Sequence, residues 1–504
     1  MPAVIQAPPQ QPPRTIWMAG HPRSGRVLRW GLIAAATVLA FHETLRVLVL
    51  NSFHAGVNGY TWVIPPAGLM AAYGLSGRAH RQPAIHDRQT DVIVGVMGLT
   101  LALMMQDVLL PRYPDFFALL RLDLQAMLVY VASAGVLLFG LRAVTRYRSV
   151  WLLMALAMPL PYHLTVILLG GGEIGAGVTT LLIAGVAAMI AFGHTPTGAL
   201  VGAAAAWGIG VAYLVMLSVF FPDSSLLVYQ LNPSLTAIGL ISLWLFLVRR
   251  RAPTEKPVRV EVLSTGDVRL GAVLVVATSA VLAVLPLPPG ALPPMLPRFD
   301  GISFGTPVQA PPGWHVTDTI DYDFVKRLYG RDARLVRQTM VADIGNPAWD
   351  KFSRPRTVVV DSVTTSWPMS LEVYPPSVLY SVSERLSERR PVDLGHGVTG
   401  QLVTAVDDRL LLTWNVLSFE WRNADSAQRV LVGSVDNHEP DAHFPPPTGA
   451  ILKTLNTMLA VLLRGNAVAF DATATYEDAG LLTTFGRGLV DAQVRTAHRT
   501  GGTP

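Results

Sequence analysis

The stretch Ile174-Gly-Ala-Gly-Val-Thr-Thr-Leu-Leu-Ile-Ala-Gly-Val-Ala-Ala-Met-Ile-Ala-Phe-Gly193 contains no charged residue. A helix of about 20 apolar residues is long enough to cross the hydrocarbon core of a bilayer. The stretch therefore predicts a membrane helix, and comparable runs surround it. They lie at roughly 29–50, 60–77, 91–110, 123–145, 148–169, 197–221, 233–248 and 268–286. Together they predict nine spans, of which the second and eighth are short.

The rest of the composition agrees. Of 504 residues, 51% are hydrophobic and 14% charged, whereas a soluble domain averages about 25% charged. Mean hydropathy is +0.40. These figures exclude a disordered chain, a fibrous chain and an ordinary cytosolic enzyme. The chain has no cysteine, which excludes disulfide frameworks, zinc ribbons, Fe–S clusters and any thiol nucleophile. The net charge of +5 does not predict nucleic acid as a partner, because the basic residues sit in short loops between apolar runs. No motif predicts a cofactor or a metal.

Charge placement predicts orientation, since short cytoplasmic loops carry an excess of Lys and Arg. Residues 1–28 form a Pro- and Arg-bearing tail with Arg14, Arg23 and Arg26, and Arg29 follows. A long first span followed by many more argues against a cleaved signal peptide. Arg78, Arg81 and Arg88 follow the second span; Arg142, Arg146 and Arg148 follow the fourth. Arg249, Arg250, Arg251, Lys256, Arg259 and Arg269 follow the eighth. The opposite side has only Arg46, Arg112 and Arg121. The N-terminus is therefore expected in the cytoplasm of a cell-membrane protein, and everything beyond residue 287 outside.

A Pro-rich connector, 287–297, leads from the last span, and such a stretch acts as a stiff spacer. Residues 298–465 read as an extracytoplasmic α+β domain. Strand patterns lie at 334–342, 356–363, 399–406, 409–420 and 428–435, and helical patterns near 321–329, 376–388 and 447–464. Residues 466–504 are weakly patterned, with a short helix near 476–495. The predicted fold is thus a polytopic α-helical membrane protein of about nine transmembrane helices, followed by an α+β domain with an antiparallel sheet.

Ionisable groups at membrane depth are costly and point to function. His42, Glu43 and Arg46 lie at the outer end of the first span, with 42 and 46 on one helix face. They can also be read as an interfacial charge cluster that anchors the helix end. Glu173 closes Gly170-Gly-Gly-Glu173, either as a first-turn capping residue or as a carboxylate at the mouth of an outward-facing cavity. His163 follows Met158-Pro-Leu-Pro161 and Tyr162. Proline kinks a helix, and kinked spans line cavities; a packed core histidine is the plainer reading. Gly198, Gly202, Ala206 and Gly210 space small residues four apart, which signals close helix packing. His438-Glu-Pro-Asp-Ala-His443 has metal-ligand residue types but no helix to hold the spacing, and no Gly-x-Ser-x-Gly elbow is present.

Taken in order, several segments resemble the exosortase/archaeosortase family of membrane transpeptidases. Phe53-His-Ala-Gly-Val-Asn-Gly-Tyr-Thr-Trp-Val-Ile-Pro-Pro66 is similar to that family's outer loop, and Ser149 to Pro161 to a long apolar segment. Glu173-Ile-Gly-Ala-Gly-Val-Thr-Thr-Leu181 lines up with the family's Glu-Ala-Cys-Ser-Gly-x-Arg-x-Leu catalytic segment. The order of a membrane core and an outer domain resembles members fused to the exosortase-associated C-terminal domain, with Gly313-Trp314 and Tyr329 compatible with it. The family's nucleophilic Cys falls on Gly175 and its Arg on Thr179. Where the family has a His at the eighth span, this chain reads Leu231-Asn-Pro233. Thioester chemistry needs an activated thiolate, so the resemblance implies a member without that reaction.

The resulting expectation is a non-catalytic role in processing, sorting or assembling exported proteins or envelope polymers. Membrane lipid, and exported proteins or a lipid-linked polymer, are the expected partners; oligomeric state is not readable. A glycosyl or acyl transferase acting on a lipid-linked substrate is the first alternative, with His42 and Glu43 its candidate residues. A transporter is the second.

Overall fold

The computed structural model describes residues 22–55, 58–77, 88–113, 116–251, 265–288, 291 and 296–500, apart from 301, 303, 305, 377–378, 381–383, 408–411, 439–441, 449–470 and 472–473. Most of the tail 1–28, Arg78, Arg81, Lys256, Arg259 and nearly all of the expected helix 447–464 lie outside the described residues.

The first half is an apolar helical bundle. Its helices are α1 (Pro22–Ala40), α2 (His42–Ala55), α3 (Ile64–Ser76), α4 (Arg88–Met104), the short α5 (Phe117–Leu120), α6 (Leu122–Phe139), α7 (Leu141–Thr145) and α8 (Arg148–Met154). Then come α9 (Pro159–Leu168), α10 (Gly172–Phe192), α11 (Pro196–Phe220), α12 (Leu226–Arg251) and α13 (Thr265–Val284). Among the described residues five segments are long and apolar enough to cross a membrane: Arg88–Arg112, Phe117–Phe139, Gly172–Phe192, Pro196–Phe220 and Leu226–Arg250. Two bent pairs raise the number to seven if each is one span. Ile64–Ser76 and Val268–Val284 are shorter.

The bends revise two expected spans. The run 29–50 is not one straight helix: α1 and α2 meet at 75° around Phe41. Phe41 turns into the bundle, its ring 5.7 Å from that of Tyr130, and His42 bonds back to the Leu39 carbonyl. The run 148–169 bends by 72° between α8 and α9. There Pro159 and Pro161 start a new helix, as their missing N–H groups dictate. The eighth helix is longer than expected, because Pro233 lies inside α12 rather than at its start. Proline leaves the carbonyl four residues earlier unbonded. That carbonyl, on Tyr229, lies 3.0 Å from where a β-carbon on Gly177 would stand, so the α10–α12 contact needs glycine. Gly210 is pressed likewise against Leu181 across α10 and α11, as small-residue spacing predicts.

One end of the bundle is tied by arginine. Arg29 and Arg88 donate to the Leu138 and Leu137 carbonyls at the C-terminus of α6. Arg249 and Arg146 donate to Tyr73, Gly74 and Ser76 at the C-terminus of α3. Cations there meet the negative end of the helix dipole.

The second half is an antiparallel sheet of eight strands: β1 (Trp314–Tyr322), β2 (Arg334–Ala342), β3 (Thr357–Thr365), β4 (Glu384–Leu386), β5 (Arg390–Asp393), β6 (Thr399–Asp407), β7 (Leu412–Arg422) and β8 (Ala427–Val435). Their order is β1-β2-β3-β8-β7-β6-β4, with β5 also on β6. Between β1 and β2 lies the single-turn helix α14 (Lys326–Tyr329), and after β3 comes α15 (Pro368–Val373). The strands expected at 334–342 and 428–435 fall on β2 and β8. The 321–329 pattern splits into the end of β1, a 3-10 turn and α14. The 376–388 pattern is not a helix: residues 384–386 are β4, paired with Ala405–Asp407.

Helix α16 (Ala479–Thr500) covers one face of the sheet. Leu481, Leu482, Phe485, Leu489 and Val490 pack there with Val358, Leu417, Trp421, Val430 and Val432. The short helix expected near 476–495, in an otherwise weakly patterned tail, is this longer one, and it closes the sheet's core. On the other face Leu335, Val363, Trp414 and Leu431 share one apolar cluster with α14, α15 and the bundle residues Tyr60, Val63, Tyr162 and Ala176. The sheet domain is thus seated on the bundle end opposite the arginines.

Candidate functional site

The seam between bundle and sheet domain begins at Gly170-Gly171-Gly172. All three have positive φ, +98°, +77° and +69°, a region open chiefly to glycine. They turn the chain from α9 into α10. A β-carbon on Gly171 would stand 2.6 Å from the Arg327 Cα, so the sheet domain rests directly on this turn. Nearby, Arg331 lies 4.0 Å from Glu173 and 3.5 Å from Asp223. Arg331 is half exposed, so these pairs contribute at most about 1 kcal/mol each; they orient the seam more than they hold it.

Behind the turn lies an aromatic column. The rings of Tyr60 and Tyr162 stack 3.8 Å apart and nearly parallel. His163 meets Tyr162 and Tyr374 edge-on, at 5.2 Å and 5.7 Å, and Tyr374 meets Tyr329 at 5.7 Å. The Tyr60 hydroxyl donates to the Ala157 carbonyl, and the Gln230 amide donates to the Tyr162 hydroxyl at 2.9 Å. The Pro159–Pro161 bend supplies α9 at the angle that lets Tyr162 reach Tyr60. The column thus joins α9 and the 3-10 turn Gly59–Val63 to α14 and α15.

A cavity of about 30 Å³ opens beside it, lined by Tyr162, His163, Gly172, Gln230, Arg327 and Ser370, with Trp367, Tyr374 and apolar residues completing the wall. This volume admits a water molecule or a group of a few atoms. His163 is 4% exposed, and its Nε2 is buried with no hydrogen-bond partner among the described residues. Such an atom costs about 1–3 kcal/mol if nothing meets it, which makes His163 the group of the wall most in need of a partner.

The ceiling of the cavity is fixed from the sheet. Arg429, 4% exposed, donates to the carbonyls of Tyr374 and Leu371 at 2.8 Å and 2.5 Å and to Glu420 at 2.6 Å. Tyr329 adds a bond to the Tyr374 carbonyl at 3.1 Å. Burial pushes the Tyr329 phenol up to about 12, the Arg429 charge opposing. Burial likewise raises Tyr374, with Tyr162 and Tyr329 adding to it. Both are neutral hydrogen-bonding groups at physiological pH.

The site residues read from sequence fall in three places. His163 lines the cavity. Glu173 stands one residue from the lining Gly172 but does not itself line it; it sits in the first turn of α10, facing Arg331. His42, Glu43 and Arg46 form a separate surface cluster at the α1–α2 bend, where Glu43 meets His42 at 3.5 Å and Arg46 at 3.4 Å. A small crevice beside His42 and Glu43 shares no residue with the seam cavity. Arg121, expected as a loop charge, is instead 1% exposed and grips Asp123 with two bonds of 2.9 Å.

The chemistry available is hydrogen bonding and charge. Ser370 donates to the Trp367 carbonyl, and no cavity residue among those described forms a nucleophile–base pair. His315–Asp343, His396–Asp491 and His438–Asp350 are pairs within the sheet domain. Among the described residues no group of three or more His, Cys, Asp or Glu could hold a metal. Gly175, the position of the nucleophile in the resemblance, faces the Val166 carbonyl, 3.1 Å from where its β-carbon would be. Sequence reasoning missed Arg327, Trp367, Ser370 and Tyr374, whose convergence on His163 is a long-range matter of how the sheet docks.

Compared with known families, curated proteins and solved structures, the chain matches none.

Proposed function

We propose that this chain is a cell-membrane protein of nine crossings that handles exported proteins or lipid-linked envelope polymers without thiol chemistry. We count the five long helices, each bent pair as one span, α3 with its preceding turn, and α13 as the nine crossings. The arginine-tied end lies in the cytoplasm by the positive-inside rule, and the sheet domain outside. The resemblance to exosortases enters here as kinship of a member that binds rather than cuts. The observation that carries the reading is the seam cavity, where His163, whose buried Nε2 has no hydrogen-bond partner among the described residues, sits under a ceiling supplied by the sheet domain.

The test is a deletion strain compared with its parent by mass spectrometry of exported proteins, mapping C-terminal peptides. The reading expects some proteins to keep an apolar C-terminal tail, or to be lost from the envelope, only in the deletion, and the intact gene to restore them. Unchanged C-termini and unchanged amounts in every exported protein would overturn it.

A further inference from the structure

We propose that the seam cavity binds a phosphate group, presented by the headgroup of a lipid in the leaflet nearest the sheet domain. The proposal deepens the reading of a lipid-linked substrate and rests on it for the source of the phosphate, though not for the site itself.

The charge balance of the wall comes first. Among the residues that line the cavity there is one cation, Arg327, and no carboxylate. Arg327 makes no ion pair among the described residues, unlike its neighbours Lys326 and Arg331, which face Asp323 and Asp223. Glu173, the nearest acid in sequence to the wall, faces Arg331 and lies outside the lining. Arginine suits recognition of phosphate, and this one stands beside a cavity whose lining holds no acid.

The donors converge from three directions. Gly172 begins the 21-residue helix α10, whose first N–H groups have no intrahelical acceptors and whose dipole favours an anion. His163 supplies an imidazole whose Nε2 is buried and unpartnered. Arg327 lines the cavity from the sheet domain, its backbone against Gly171 and its side chain exposed. Donors approaching from three sides suit a tetrahedral oxyanion, whose oxygens point outward in several directions, better than a flat carboxylate. The volume of about 30 Å³ admits a group of a few atoms, so the phosphate oxygens enter it and the rest of the lipid stays outside.

The experiment uses the purified full chain in nanodiscs of neutral phosphatidylcholine. Its thermal midpoint is followed during titration with a polyprenyl phosphate and, separately, with inorganic phosphate, using chloride as the ionic-strength control. A ligand that binds only the folded state raises the midpoint. The proposal expects the polyprenyl phosphate to raise it at lower concentration than inorganic phosphate. It expects R327Q, a change at an exposed side chain, to weaken the effect about tenfold, the scale of one charge-assisted bond. R334Q, which removes a half-exposed arginine paired with Asp321, should leave it unchanged. H163F, which keeps a ring and removes the donor, should weaken it in the same direction as R327Q. Equal potency of inorganic phosphate would overturn the lipid source and keep the phosphate site. No shift with either probe, or equal weakening by R327Q and R334Q, would overturn the site. Because binding is read on purified protein, unchanged exported C-termini would remove the sorting role and leave this result standing.

Discussion

Gly171 and Arg327 meet so closely that a β-carbon on residue 171 would stand 2.6 Å from both the Cα and the carbonyl oxygen of Arg327. One residue belongs to the turn between two apolar helices and the other to the sheet domain. A loop of three glycines that resembles a flexible hinge is therefore the seat of a rigid contact. Gly171 has φ +77° and ψ −168°, a region essentially reserved for glycine, so G171A would add strain of about 1–3 kcal/mol and push Arg327 away. Because the chain has no cysteine, E173C paired with R331C can be joined cleanly by a short bis-maleimide. The cross-linking yield should fall several-fold when G171A is added. An unchanged yield would show that the seam does not depend on this contact.

The ceiling of the cavity hangs on Arg429. R429M would leave Glu420 without its cation and the carbonyls of Tyr374 and Leu371 without their donor. Breaking a buried charged network on one side costs about 3–5 kcal/mol. Hydrogen exchange should rise across 368–374 and the thermal midpoint should drop. Unaltered exchange in α15 would show that another contact holds the ceiling.

Two carboxyls of the sheet domain give opposite pH dependences. Burial pushes Asp436 up to about 7, with Asp478 and Glu477 adding to it and Arg356 and Asn415 opposing. The folded state thus holds this proton more tightly than the unfolded chain. The stability it contributes is present below about pH 4, the ordinary aspartate value, and is lost as pH rises through 7. Burial also works against ionised Asp350, but the backbone N–H groups of Arg354 and Phe352, His438 and the Arg354 side chain outweigh it and hold the carboxyl well below its usual range. Its contribution is present above about pH 4 and lost on acidification. The thermal midpoint should therefore fall from pH 5 to pH 8 in the natural protein, and D436N, which keeps an acceptor for Asn415, should flatten that fall. An identical slope in D436N would contradict the assignment.

Helix α16 is structural. Phe485 is 1% exposed and meets Trp314 edge-on at 4.8 Å. F485A should cost about 3–5 kcal/mol, read as a drop in the urea midpoint, and it should speed proteolysis of the sheet domain. A loss below 1 kcal/mol would place the helix outside the folding unit.

The apolar runs made the helical half legible, since burial in any apolar medium leaves the same uncharged stretch of about 20 residues. What they could not give was direction change. Phe41 carries no breaker signal, and its bend comes from packing on Tyr130. Strands β2 and β8 were readable from their apolar content, but β1 was not, because its side chains are mostly exposed and its Thr-Asp-Thr sequence looks like a loop. Glu384-Arg-Leu-Ser-Glu388 has helical charge spacing, yet pairing of 384–386 with β6 decides its form. In α16 the apolar face is interrupted by glycine and polar residues, and only the exposed underside of the sheet explains it. At the site, the proline bend and His163 were visible in the chain. The partners that make His163 notable come from residues 327–374, and nothing in local spacing announces that they would dock there.

The account requires that the seam face the outside of the cell. Asp332 is exposed beside Arg331, and the natural chain has no thiol to confuse the labelling. D332C in intact cells, treated with a membrane-impermeant maleimide, should be labelled as fully as after lysis, while R250C should be labelled only after lysis. Labelling of D332C only after lysis would put the sheet domain in the cytoplasm and contradict the account.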